Sequence, residues 1–125
     1  MLMTLSTVEA ATIELGESEL YSMSEQTSAI EKILIEFERW EGCELHSLRY
    51  AGDQCNSQEN INWLNQLAEP RGLEPTFDWC IEFVSDFHSP KEAYGAWAAD
   101  SEYKDWQWWL ARADGGEWHL LTWGY

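Results

Sequence analysis

Positive charge is what this chain has least of. Seven lysines and arginines stand against 23 aspartates and glutamates, a formal net charge of −16 over 125 residues. Such a surface repels nucleic-acid phosphates and anionic lipid, so neither direct nucleic-acid binding nor membrane binding is expected, and a basic protein is the favoured partner. Long apolar runs are missing too. Nothing approaches the ~18 consecutive apolar residues of a spanning helix, and the opening "MLMTLSTVEAATIELGESE" has no basic n-region of a signal peptide. The expected setting is the cytoplasm. Cys43, Cys55 and Cys80 are odd in number and not closely paired, which argues against a disulfide framework and leaves open a single Cys43–Cys80 bridge. The three histidines have no close-spaced partner and there is no glycine-rich phosphate loop, so no metal and no cofactor is expected.

What the chain does have is apolar and aromatic material. Nine tryptophans and 45% apolar residues are ample for one hydrophobic core, so we expect a single domain over residues 21–125 after a loosely ordered segment 1–20 in which "ATIEL" offers a short strand. Ser22 and Glu25 form a capping-box pattern, and Ile30, Ile33, Leu34, Phe37 and Trp40 then fall on one helical stripe ended by Gly42. This predicts a long amphipathic helix over roughly residues 23–41. "CELHSLRY" reads as a strand, and Ile61, Leu64 and Leu67 give a shorter helix capped at Asn56 or Ser57 and stopped by Pro70 and Gly72. In "FDWCIEFVSDF", Phe77, Trp79, Ile81, Phe83 and Phe87 alternate with Asp78, Cys80, Glu82, Val84 and Asp86, a strand with its aromatic face buried.

The last twenty residues, "WQWWLARADGGEWHLLTWGY", hold five tryptophans and read as a hairpin around Asp114-Gly115-Gly116. A three-residue loop sets Arg112 opposite Trp118, Leu110 opposite Leu120, Trp108 opposite Thr122 and Trp106 opposite Gly124; a two-residue turn would shift every pair. In the first register Trp106, Trp108, Leu110, Trp118 and Leu120 share one face, and Trp109, Ala111, Leu121, Trp123 and Tyr125 the other. Neither face is polar, so a helix must cover one and the "AYGAWAADSEY" insertion, a ligand or a second subunit the other, and a homodimer through the sheet is expected.

The order of elements predicts an α+β domain: a long N-terminal helix on a curved antiparallel sheet of about four strands. That order, with "F..W.GCEL..LRYAGD", "FVSDFHSP" and "W.WWLAR.DGGEW.L.TWGY", resembles a family of small uncharacterised bacterial proteins over about residues 20–125. The resemblance implies a cystatin-like, nuclear-transport-factor-like cone. It brings no catalytic residues, and the broader fold implies a pocket between helix and sheet.

Two binding readings follow. In the first, the chain is a non-enzymatic module that binds a protein or a small apolar ligand through an aromatic sheet face or cone pocket, with Trp108, Trp109, Trp123, Tyr125 and Arg112 as candidates; Arg112 also has Trp118 and Glu117 as simple partners. In the second, it is an acidic inhibitor or immunity-type protein whose row Asp78, Glu82 and Asp86 imitates phosphates in a partner's basic nucleic-acid groove. An enzyme needs a placed acid or base. Asp86 with His88, and Glu44 with His46, are the pairs that spacing offers.

Overall fold

The capping box at Ser22 forms: its hydroxyl accepts the Glu25 backbone N–H at 3.1 Å, and the Glu25 carboxylate accepts the Ser22 N–H at 2.8 Å. The helix it starts, α1, runs Met23–Phe37 and buries Ala29, Ile30, Ile33 and Phe37. It stops four residues short of the expected end, because tighter i→i−3 bonds from Arg39 to Glu36 and from Trp40 to Phe37 close it. Gly42, at φ +82°, then turns the chain under Pro90. These details come from a computed structural model that describes residues 11–72, 76–92 and 98–125.

Among the described residues the sheet has five strands, not four, and is mixed and open rather than antiparallel throughout. Its order is β1 (Thr12–Glu14), β2 (Glu44–Tyr50), β3 (Trp79–His88), β4 (Glu102–Arg112), β5 (His119–Gly124). The added strand lies in "ATIEL" and pairs parallel with β2, Ile13 opposite Leu48. Parallel neighbours need a crossover, and α1 supplies it. Strands β2 to β5 pair antiparallel, and α2 (Gln58–Ala68), capped by Ser57, lies between β2 and β3 in the chain. No helix among the described residues is long and apolar enough to cross a membrane.

The odd positions of β3 face the core as their alternation predicts: Ile81, Phe83 and Phe87 are fully buried. Phe77 precedes the strand, and its ring meets His119 at 5.5 Å. Three bulges decide the rest. In β2 the pairing slips at His46, in β4 between Tyr103 and Trp106, and in β5 at Leu121. Each extra residue reverses the alternation beyond it. Hence Leu120 does lie opposite Leu110, but Trp123, not Thr122, lies opposite Trp108, and Gly124 faces Gln107 rather than Trp106. The predicted division of aromatics between two faces is corrected accordingly. Trp123 joins Trp108, their centroids 5.9 Å apart, and Tyr125 joins Trp106 at 5.0 Å.

Trp40 stacks on Trp108 at 5.0 Å on this face, which α1 covers. The opposite face keeps Trp109, and its cover is α2, with Trp63 edge-on to Trp109 at 5.4 Å. The alternation of the hairpin predicts a cover from the insertion, of which residues 93–97 lie outside the described residues, from a ligand or from a second subunit.

Candidate ligand-binding cleft

Trp118 anchors the hairpin to the first turn of α1. Its indole N–H donates to the Glu25 carbonyl at 3.2 Å, and its ring lies edge-on to Tyr21 at 5.5 Å and under the Arg112 guanidinium at 4.6 Å. This is the stacking that the three-residue loop predicts. The ion pair of Arg112 is with Glu25, not Glu117, whose partner is Lys32 at 2.5 Å. Glu25 thus serves its helix cap with one oxygen and Arg112 with the other. The Ser22 N–H and then the Arg112 guanidinium hold its carboxyl below the usual range.

Between α1 and the hairpin run two adjoining clefts. One, of about 280 Å³, has Ser24, Ser28 and Lys32 on its helix wall and Arg112, Gly116 and Trp118 on its hairpin wall. The other, of about 340 Å³, continues between Lys32, Ile35 and Glu36 of α1 and Leu120 and Trp123 of β5, with Arg71 and His119 beside it. Lys32 and Trp118 line both, so the two form one trough along α1, crossed by the Lys32–Glu117 pair. Ile35 is 60% exposed on one wall and Trp123 39% exposed on the other. Arg71 reaches the edge of β5 and donates to the Leu121 carbonyl at 3.2 Å. Lys32, Arg71 and Arg112 are three of the seven cations, so the trough is less acidic than the chain at large, although Glu25, Glu31, Glu36 and Glu117 also border it.

The residues singled out from sequence scatter over this frame. Arg112 and Trp123 line the trough, whereas Trp108 is fully buried, Trp109 lies under α2, and Tyr125 is 75% exposed beyond the end of β5. The acidic row is divided among local tasks. Asp78 accepts the Asp114 N–H at 3.0 Å and Asp86 the Asp105 N–H at 2.9 Å, while partial burial pushes the Glu82 carboxyl upward. His88 meets Glu102 and Asp100 instead of Asp86, and His46 meets Glu102 instead of Glu44. All three cysteines are buried free thiols. Cys80 Sγ lies against the Cys55 carbonyl at 3.2 Å, and burial pushes Cys43 and Cys55 up to about 11 and Cys80 up to about 12, which makes them poor nucleophiles. No cluster of three or more metal-ligating side chains is found among the described residues.

Sequence reasoning missed the helix wall and Arg71. Ser24, Ser28, Lys32 and Glu36 recur every fourth residue beside the core stripe of α1, which was a legible signal for one exposed helix face. Nothing in the sequence said that the hairpin would stand alongside it. Comparison of the chain with protein-family models, with characterised proteins and with solved structures finds no match.

Proposed function

We propose that the chain is a non-enzymatic binding module whose ligand, a protein segment or a small apolar molecule, lies in the trough between α1 and β5. The observation that carries this reading is the pair Ile35 and Trp123, large apolar side chains left exposed on facing walls of one groove while Trp108, Trp109 and Trp118 are buried. Arg112 and Lys32 supply orienting polar groups at the other end. The cone-type architecture implied by the family resemblance belongs with this proposal, supported by a helix laid across a bulged sheet. Should two copies associate, Trp123, Tyr125 and Ile35 are among the exposed apolar groups of the described residues that could join them, since α2 covers much of the opposite face.

Titration with an anilinonaphthalene sulfonate dye, read by energy transfer from tryptophan, tests the reading. Wild-type protein should bind, Ile35→Glu and Trp123→Ala should each weaken binding by about tenfold or more, and added salt should change little. Unchanged affinity in both variants would remove the trough from consideration. Capture of a basic protein partner that is lost only in the triple variant Asp78→Asn, Glu82→Gln, Asp86→Asn, and lost for wild type at high salt, would favour the acidic-inhibitor reading instead.

A further inference from the structure

His88 ends β3 on the face turned away from α1, opposite Glu102 of β4 and Glu44 of β2. Each of its ring nitrogens meets a carboxylate: Nδ1 lies 3.0 Å from Glu102 Oε1, and Nε2 lies 2.7 Å from Asp100 Oδ1. An ionised carboxylate only accepts hydrogen bonds, and a neutral imidazole has one N–H to give. Both bonds therefore exist together only when the ring is an imidazolium. The second oxygen of Glu102 takes Nδ1 of His46 at 2.9 Å, and the two imidazoles stack with centroids 6.2 Å apart.

Asp100 sits in the turn that leads into β4, at φ +48°, a left-handed conformation that aspartate and asparagine adopt more readily than other side chains. The same turn is seated on the body by the Ala98 N–H, which donates to the Tyr103 hydroxyl at 2.9 Å, and by the Ser101 N–H, which donates to Ser89 Oγ at 2.8 Å. Tyr103 in turn stacks on Phe87 of the core at 5.0 Å.

We propose that His88 is a proton-operated clasp: as an imidazolium it joins β3 to Glu102 and to the Asp100 turn, and on losing a proton it surrenders one of the two bonds and loosens the turn over Tyr103. The charged groups around it are Glu44 and His46 from β2, Glu102 from β4, Asp100 from the turn and Asp86 from its own strand, so carboxylates predominate. Asp100 first and Glu102 second raise the pKa of His88 above its ordinary value. The sign follows. The clasp contributes fully below the unfolded-state value of about 6.5 and is lost as pH rises through the raised folded-state value.

The test uses the full chain, with histidine NMR titration and amide hydrogen exchange expressed as protection factors from about pH 5 to pH 9. His88 should titrate above a histidine in the unfolded chain, and protection at Ala98 and Ser101 should fall severalfold across that same transition. Asp100→Asn, which keeps a side chain suited to the left-handed backbone, should lower the His88 midpoint and abolish the step in protection. His46→Gln, which leaves both His88 bonds in place, should retain the step. A His88 midpoint at or below that of the unfolded chain would overturn the clasp, as would protection at Ala98 and Ser101 that does not change across it, or a step that persists in Asp100→Asn.

Discussion

The two faces of the sheet bury aromatic rings by different means. On the α1 face, bulges in β4 and β5 bring Tyr103, Trp106, Trp108, Trp123 and Tyr125 onto one side, where Trp40 and Phe37 close over them. On the other face Trp109 is covered by Trp63, itself 39% exposed, and the far half of the face carries His46, Asp86, His88 and Glu102 instead. The lesson is that strand alternation distributes side chains only between bulges. An irregularity of one residue moved Trp123 and Tyr125 to the side where an aromatic core already stood.

Truncation should separate the faces. Trp108→Ala should cost about 3–5 kcal/mol, because its ring is fully buried among rings that cannot all close the hole. Trp109→Ala should cost less, about 1–3 kcal/mol, because the half-exposed Trp63 can settle into the space. Urea denaturation of both variants checks this, and a larger loss for Trp109 would reverse the ranking of the faces.

Deleting Leu121 makes a sharper demand on the pairing. With the extra residue gone, Thr122 still meets Trp109 and Trp123 still meets Trp108, so the aromatic cluster should survive with its near-ultraviolet circular dichroism intact. The cost should be about 2 kcal/mol for the lost buried leucine side chain. Collapse of the tryptophan signal would show that the bulge does more than re-phase the strand.

The smallest effect concerns Glu82 on the face turned away from α1. Burial raises its carboxyl pKa, so ionisation above the unfolded-state value of about 4.3 opposes folding, and that opposition fades as pH falls. Glu82→Gln should therefore stabilise the chain at neutral pH by a few tenths of a kcal/mol, and the gain should vanish below about pH 4. Destabilisation at pH 7 would mean that the carboxylate is working for the fold.

Much of the frame was legible locally. Ser22, Glu25 and the Ile30, Ile33, Phe37 stripe announced α1; Ser57 with Ile61 and Leu64 announced α2; Phe83 and Phe87 announced the buried side of β3. These signals lie within a few residues of the structure they dictate, so capping and periodicity suffice to read them. The pairing of Arg112 with Trp118 was legible for the same reason, since Gly115, at φ +74°, sets the turn between them. The candidate cleft was legible only in part. Arg112 and Trp123 were chosen for their chemistry, but the wall facing them belongs to α1, roughly eighty residues away in sequence.

Composition and short-range pattern thus dictate an acidic α+β chain with two capped helices, an aromatic strand and a closing hairpin, because burial and capping act on neighbouring residues. Which carboxylate meets each histidine, which face Trp123 joins, and what covers Trp109 were decided only when strands distant in sequence came together. A bulge is a property of two paired strands, and α1 could run between parallel neighbours only once β1 had found β2. Those pairings depend on long-range loop closure and on side chains meeting across the sheet, and no window of a single strand contains them.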